Sequence, residues 1–533
     1  MSLRDKTRHK AAFTCALAVM LTLSLAVSAT GCLHSNEPEP EKPTVVVNPK
    51  LERTIPVDAM IITSDVVSEV LSPDGGLLLA AKTGSQGSDM LLIPIMDDSP
   101  HPTVVDSVPR DWLVDTWFDY RALGWLSDAE FLYAKMGWQP TGAHKGERGS
   151  CIVLGTLTKE ESGKQPDVSL EEIAFIPLSY HDSSLQIRVV PEKDEVYMNN
   201  NTTMWKLDVS ARTLSVLKDD LPDYLYRQPI PSPNGDFYVY ELNESEKSGI
   251  FIFDTKTRTE RPLLPTGDTI SFYPAWSYDG KYIAAYTVQR KPESTGTSWQ
   301  DYLFFEGEDG PLNMGSSITV VDTHGNIVED ISVEGKYLRY FVWAHNQDSL
   351  AFLAGLPSEE ESLGDWAYQT VVSDSVWGAK MEGIQGSLTN LGSIPKDDTG
   401  SYMEISQMVF DAGGNGIYGN VYDNGTWHFS GTTEPTKVAQ GPWTDWVDGK
   451  PPIYGNAMVG LVDTKEEKKG FFLFDGSQVT QFGEFECHWA MVVGFNDEYL
   501  IIFAGNPSDT KGDYLYQPES GNLLIYDMLD TVK

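Results

Sequence analysis

Residues 272–288, FYPAWSYDGKYIAAYTV, consist of an apolar strand, a polar Asp-Gly turn and a second apolar strand. Aspartate tolerates, and glycine prefers, the positive φ angles that tight hairpin turns require. Clear copies of this pattern are found at 67–81 (VSEVLSPDGGLLLAA), 227–242 (RQPIPSPNGDFYVYEL) and 340–353 (YFVWAHNQDSLAFL). The sequence therefore predicts repeated β-hairpins. The structural turn residues are predicted to be Asp74, Gly75, Asn234, Gly235, Asp279 and Gly280.

A second pattern follows most of these hairpins. Segments such as 249–254 (GIFIFD) and 317–322 (SITVVD) are apolar strands that end in aspartate and lead into a further strand. Weaker copies of the first pattern occur at 123–134, 187–198, 408–421 and 492–503. Two hairpins per unit make a four-stranded antiparallel sheet, and serial sheets of this kind are typical of propeller blades. We predict an all-β fold, a single β-propeller of about eight four-stranded blades, with seven or nine also open.

The repeats also resemble a known family. Ser-Pro-Asp-Gly at 72–75 and Trp-Ser-Tyr-Asp-Gly at 276–280 are similar to the WD-like repeats of TolB-type propellers and of the propeller domains of prolyl peptidases. The resemblance covers about residues 55–530 and implies the fold rather than a function, because one fold hosts many sites. We do not expect the peptidase's hydrolase domain, because the Gly-x-Ser-x-Gly pentapeptide of its nucleophile elbow is absent from the sequence.

The N-terminus has the layout of a secretory signal. An apolar stretch, 11–27, follows four basic side chains and precedes small residues, whereas a membrane-spanning helix would be longer and flanked by charge. The segment ending in Cys32 resembles a bacterial lipobox, although Ala29 stands where leucine is usual, so ordinary cleavage nearby remains the alternative. We predict a lipoprotein signal peptide at 1–31, a flexible acidic and proline-rich tether at 32–54, and the propeller at 55–533. The protein is then exported and attached to the membrane only through lipid on Cys32.

The charge of the chain restricts its partners. A formal net charge of −38 disfavours nucleic acid, whose binding requires clustered lysine and arginine, and it disfavours direct attachment to anionic membrane surfaces. The sequence contains neither His-Glu-x-x-His nor Cys-x-x-Cys and lacks an EF-hand or phosphate-binding loop, so we expect no metal and no cofactor. Cys151 and Cys487 lie far apart in sequence, and we expect two buried thiols.

Three connections between predicted strands are unusually long, at 137–150, 289–316 and 355–365. Each follows the second strand of its unit, so all three should emerge on the face opposite the Asp-Gly turns. Recognition in repeat proteins often lies in such insertions. We expect a binding lip around the central channel, and length variation without a role is the alternative. Its predicted residues are Trp138, Trp299, Tyr302, Phe304, Phe305 and Trp366.

These observations favour a non-catalytic binding or interaction module over an enzyme, with no catalytic residue predicted. The partner is expected to be an unknown protein, a peptide or a cell-envelope polymer. The alternative is an enzyme, a glycan lyase or hydrolase, with its site in the propeller channel. Such a site would need a few titratable side chains that converge from different blades, and spacing along one chain does not reveal them.

Overall fold

A computed structural model gives the fold of the chain. The structure describes the following residues: 49–57, 60–62, 70–84, 87–96, 101–109, 118–158, 167–178, 185–221, 228–243, 248–265, 267–290, 306–307, 310–311, 314–345, 347–357, 371–381, 388–421, 424–431, 434–439, 453–454, 457–465, 468–474, 479–487, 489–505 and 520–528. Cys32 and the predicted signal peptide lie outside these residues. Within them, no helix is long and apolar enough to cross a membrane.

The described residues form short strands and one 3-10 turn, Pro191–Lys193. The first strands are β1 (Lys50–Val57), β2 (Met60–Ile62), β3 (Leu77–Gly84), β4 (Gly87–Pro94), β5 (Thr103–Pro109), β6 (Phe118–Ser127), β7 (Glu130–Trp138), β8 (Arg148–Thr158), β9 (Asp167–Pro177), β10 (Gln186–Val190), β11 (Glu195–Asn199), β12 (Met204–Asp208) and β13 (Thr213–Lys218). The middle strands are β14 (Ile230–Pro231), β15 (Phe237–Asn243), β16 (Ser248–Asp254), β17 (Thr259–Pro265), β18 (Thr269–Trp276), β19 (Tyr282–Gln289), β20 (Glu306–Gly307), β21 (Gly310–Pro311), β22 (Met314–Gly315), β23 (Ser317–Asp322), β24 (Ile327–Ile331), β25 (Tyr337–Trp343) and β26 (Ser349–Pro357). The last strands are β27 (Val371–Lys380), β28 (Thr389–Ser393), β29 (Ile405–Phe410), β30 (Ile417–Val421), β31 (Gly425–Phe429), β32 (Thr436–Ala439), β33 (Ile453–Tyr454), β34 (Ala457–Lys465), β35 (Lys468–Phe474), β36 (Val479–Glu486), β37 (Trp489–Phe495), β38 (Tyr499–Gly505) and β39 (Gly521–Asp527).

These strands form antiparallel sheets that follow one another along the chain. In chain order they are sheet 1 (β2–β5), sheet 2 (β6–β9), sheet 3 (β10–β13), sheet 4 (β14–β17), sheet 5 (β18, β19, β23 and β24), sheet 6 (β22 and β25–β28), sheet 7 (β29–β32), sheet 8 (β33–β36) and sheet 9 (β37–β39 with β1). Eight of these sheets have four strands, and sheet 6 has a fifth, β22; β20 and β21 form a separate hairpin. The prediction of an all-β propeller with about eight four-stranded blades is confirmed, and sheet 6 brings the series to the upper end of the predicted range.

The two ends of the described chain meet in sheet 9. Strand β1 pairs with β39 from Lys50↔Asp527 to Val57↔Gly521, so the first described strand closes the last sheet. Residues 50–54, expected as part of the tether, therefore belong to this strand, because its backbone groups find partners on β39. One apolar cluster joins sheets 9, 1 and 2 and includes Phe503, Leu78 and Phe131. Pairing and packing together link the end of the propeller to its beginning.

The Asp-Gly turns share one local hydrogen-bond network. In sheet 5 the Ser277 hydroxyl donates to Asp279 at 2.8 Å and accepts from the Tyr282 N–H at 3.0 Å, while the N–H of Lys281 also donates to Asp279. Gly280 has a φ of +70°, a value that glycine adopts without steric cost. The same bonds hold the turns of sheets 1 and 4, where Asp74 and Asn234 are the acceptors. We call the end of the sheets that carries these turns the turn face, and the other end the loop face.

Tryptophans join neighbouring blades. The Nε1–H of Trp125 donates to the Val70 carbonyl at 3.0 Å, that of Trp276 to Ile230 at 3.1 Å, and that of Trp343 to Ala275 at 3.3 Å. Each bond runs from the first strand of one sheet to the segment before the turn of the preceding sheet. The three indoles therefore pack between blades.

Candidate functional site

The first strand of each sheet lies on the inner side of the propeller. The first strands of sheets 6 and 7, β25 and β29, contact one another, whereas fourth strands such as β9 and β13 are largely exposed along their length. Side chains on the first strands and their connections on the loop face therefore surround the mouth of the central channel. The predicted lip should lie at this mouth.

The long connection of sheet 5 reaches the inner edge of the next sheet. Its last described strand, β22, pairs with β25 through Met314↔Arg339 and Gly315↔Leu338, which adds a strand on the channel side of sheet 6. The approach is close, since a Cβ on Gly315 would lie 2.8 Å from the Thr287 carbonyl oxygen. Only a residue without a side chain fits there without movement of the backbone.

An exposed aromatic side chain lies beside this added strand. Tyr340 on β25 is 39% exposed, and the guanidinium of Arg339 lies 4.5 Å from its ring centroid. Arg339 also reaches Glu404, just before β29, with Nη2 and Oε1 3.4 Å apart. Arginine over a tyrosine ring is a cation–π arrangement, and these two residue types dominate the binding energy of many protein interfaces. We call Arg339, Tyr340 and Glu404 the mouth cluster.

The backbone of the mouth cluster is strained. Tyr340 has a φ of +50°, and Tyr273, the residue at the same distance before Trp276 in sheet 5, has a φ of +56°. Both lie at irregularities in the pairing of a first strand with the second strand of its sheet. Positive φ is uncommon for residues other than glycine, and such strain concentrates at functional sites.

The connection after Trp138 takes a different path. Trp138 ends β7 half-buried, and the N–H of Ala143 donates to Glu172 on the outer strand β9 at 3.3 Å. The His144 ring stacks on Phe175, also on β9, with centroids 3.8 Å apart and planes within 8°. This connection therefore lies over the outer side of its own sheet, whereas that of sheet 5 reaches inward.

A buried charged network supports the same connection. The Lys135 side chain, 5% exposed, contacts Glu172 and lies 3.9 Å from Asp106, which also accepts a 2.9 Å hydrogen bond from the Tyr133 hydroxyl. Partial burial opposes ionisation of Glu172, but the hydrogen bond and charge of Lys135 outweigh it and lower the pKa of that carboxyl. Burial raises the pKa of the neighbouring Cys151 thiol to about 12. The thiol is therefore protonated at neutral pH and chemically inert.

The structure describes only part of the predicted site. Asp74, Gly75, Asn234, Gly235, Asp279 and Gly280 lie in the turns given above. The remaining lip residues, Trp299, Tyr302, Phe304, Phe305 and Trp366, lie outside the described residues, so the lip stays a prediction. Cys151 and Cys487 are buried thiols, as expected. Within the described chain, no group of three or more histidine, cysteine, aspartate or glutamate side chains could hold a metal ion.

The sequence reasoning did not find the mouth cluster. Tyr340 begins the segment 340–353, for which the sequence predicts only a hairpin, and Arg339 and Glu404 lie outside the predicted repeat segments. One signal was present, since Tyr273 and Tyr340 both stand three residues before a tryptophan in the aligned copies. Their left-handed backbone was not visible in that alignment, because tyrosine ordinarily avoids it.

Comparison with known proteins finds similarities among solved structures, all at low sequence identity. No protein-family model matches the chain, and no curated protein matches it in sequence. Among solved structures it is similar to dipeptidyl peptidase 4 of Porphyromonas gingivalis, with 11% identity, a TM-score of 0.40 and coverage of 84% of this chain and 57% of that one. It is also similar to TolB of Acinetobacter baumannii (13% identity, TM-score 0.26, 75% of this chain and 77% of that one). A third is an oligogalacturonate lyase from Vibrio parahaemolyticus (9% identity, TM-score 0.34, 71% and 94%). These neighbours include a TolB and a peptidase, the two kinds of protein that the repeats resemble, and no activity is carried over from them.

Proposed function

We propose that the protein is an extracytoplasmic, lipid-anchored propeller that acts as a non-catalytic binding module for a protein, peptide or cell-envelope polymer at the channel mouth on the loop face. The addition of β22 to the inner edge of sheet 6, beside the exposed Tyr340, supports this function most directly. A strained aromatic residue, capped by arginine and bordered by an insertion, is a surface suited to recognition rather than to packing.

A site-specific photo-crosslinker tests this proposal. We expect a crosslinking amino acid at position 340 to form a discrete adduct in intact cells, because Tyr340 lies in the proposed contact. The same group at Lys256, exposed on the turn face, is the matched control and should give none. Adducts at both positions, or at neither, would contradict binding at the mouth.

Gly315, which lies in β22, allows a second test. Gly315→Ala should weaken the adduct at position 340, because a Cβ there would clash with the backbone of β19 and displace the added strand. Gly267→Ala is its control, since a Cβ at Gly267 meets nothing within 4 Å. Both variants should remain folded, with overpacking at Gly315 costing about 1–3 kcal/mol.

The anchor has its own test. Cys32→Ala should move the protein from the membrane fraction to the soluble extracytoplasmic fraction, because the lipid would be the only attachment of an acidic body to an anionic surface. Replacement of Cys151 by Ala serves as the control, since that thiol is buried in sheet 2. Retention of the Cys32→Ala variant in the membrane would refute lipid anchoring.

A further inference from the structure

A cavity of about 440 Å³ opens on the turn face, between the turns of sheets 5 and 6. It lies at the opposite end of the sheets from the mouth cluster and does not depend on the function proposed above. Six of the side chains that line it carry the argument. They are Tyr278, Asp279, Lys281, His345, Asp348 and Lys380. Its volume falls within the range of small-molecule sites.

Two of the residues that line the cavity are aromatic and stand where other repeats have proline. Tyr278 and His345 occupy the position after the first turn residue, which is Pro73 in sheet 1 and Pro233 in sheet 4. Between sheets 4 and 5 the proline packs against the turn glycine, since a Cβ on Gly280 would lie only 3.2 Å from Pro233 Cδ. Between sheets 5 and 6 the Tyr278 and His345 rings contact one another instead, with centroids 4.2 Å apart and planes inclined by 53°. Tyr278 is 40% exposed and offers an aromatic wall.

The charged groups of the cavity are unequally satisfied. Lys281 lies 2.5 Å from Asp279 but 3.8 Å from Asp348, which is beyond hydrogen-bond length. Asp279 is held further by Ser277 and by its own turn. Lys380 is exposed, and no carboxylate of a described residue lies within 4.0 Å of its ammonium group. The Asp348 carboxylate can therefore accept further hydrogen bonds, and the Lys380 ammonium group can donate further ones.

These two groups are held on adjoining backbone. The N–H of Met381 donates to the Asp348 carbonyl at 2.8 Å, and Lys380 pairs with Ser349 in the sheet. A ligand that carries both an ammonium and a carboxylate group could thus satisfy both at once, with charge-assisted hydrogen bonds. The net charge of −38 favours the approach of an ammonium group and disfavours a simple anion.

We propose that this cavity binds a zwitterion of amino-acid size, with its ammonium group on Asp348, its carboxylate on Lys380 and an apolar or aromatic group against Tyr278. The His345 ring and the turn of sheet 5 also line the cavity. The site combines an aromatic surface with two oriented charges, and that combination discriminates a free amino acid from its singly charged derivatives.

The probe is L-phenylalanine, measured by isothermal titration calorimetry on the full mature chain. N-acetyl-L-phenylalanine lacks the ammonium group and L-phenylalanine amide lacks the carboxylate, so each should bind at least tenfold more weakly, which is about 1.4 kcal/mol. Saturable binding of L-phenylalanine with both losses supports the proposal. No saturable binding, or equal binding of either derivative, overturns it.

Three variants locate the binding. Lys380→Gln and Tyr278→Pro should each weaken it at least tenfold, and Lys256→Gln, a lysine elsewhere on the turn face, should not change it. Tyr278→Pro is safe for folding because proline already occupies the equivalent position in sheets 1 and 4. Unchanged affinity in both test variants would show that the ligand binds elsewhere and would refute the assignment.

Discussion

The interface between sheets 4 and 5 and the interface between sheets 5 and 6 use the same devices. Trp276 donates its indole N–H back to Ile230, as Trp343 does to Ala275. At the first interface Glu241 accepts the N–H of Tyr273 at 3.1 Å, and at the second Tyr286 accepts the N–H of Phe341 at the same distance.

The differences between the interfaces arise from single residues. Glu241 and Tyr286 occupy the same place in their repeats, six residues after the turn glycine. The donor differs by one residue because Pro274, which aligns with Phe341, has no N–H. Pro233 packs against the turn glycine at the first interface, whereas Tyr278 and His345 line the cavity of about 440 Å³ at the second. The fold thus determines the hydrogen bonds between blades, while single side chains make the turn faces of the two interfaces different.

The largest expected effect comes from the tryptophans. Trp343→Ala should reduce the free energy of unfolding by about 3–5 kcal/mol, because its indole is buried and its hydrogen bond would be lost. Trp276 is only half-buried, so Trp276→Ala should cost less. Urea denaturation of both variants measures the difference, and equal costs would contradict the distinct packing of the two interfaces.

Loss of the hydrogen-bond acceptors between blades should give the next largest decrease in stability. Tyr286→Phe removes the hydroxyl that accepts the Phe341 N–H and should cost about 1–2 kcal/mol, whereas Glu241→Ala removes the carboxyl group that accepts the Tyr273 N–H and should cost about 2–3 kcal/mol. The exposed Tyr278→Phe is the control and should stay within about 0.5 kcal/mol of the natural chain. A Tyr286→Phe variant as stable as this control would show that the inter-blade bond contributes nothing.

The smallest effect concerns the dependence of stability on pH. Partial burial would raise the pKa of Asp279, but hydrogen bonds from Lys281 and Ser277 outweigh it and lower the pKa below its ordinary value of 3.8. A lowered pKa contributes stability above pH 3.8 that is lost as the pH falls through the folded-state value. Because solvent screens this turn, the contribution should be less than about 1 kcal/mol.

Asp279→Asn copies Asn234 of sheet 4, which does not titrate. We expect the variant to lose less stability than the natural chain between pH 5 and pH 2, as measured by urea midpoints. Parallel pH profiles for the two proteins would rule out a contribution from Asp279.

Prediction from the sequence succeeded for features that depend on interactions between residues close together in the chain. The Ser-x-Asp-Gly copies predicted the turns because the serine hydroxyl, the acidic side chain and the glycine φ all act within six residues. The mouth cluster escaped prediction because Arg339 and Glu404 meet only when sheets 6 and 7 lie side by side.

The sequence by itself determined the all-β repeat, its turn chemistry and its acidic surface, since alternation, glycine placement and charge are properties of neighbouring residues. Tertiary structure alone decided that β22 joins the inner edge of sheet 6, that the connection after Trp138 lies outward, and that the Tyr278 and His345 rings meet beside a cavity. These outcomes depend on which strands become neighbours around the propeller and on the space between their side chains. Closure of the ring determines both the neighbouring strands and the space between their side chains.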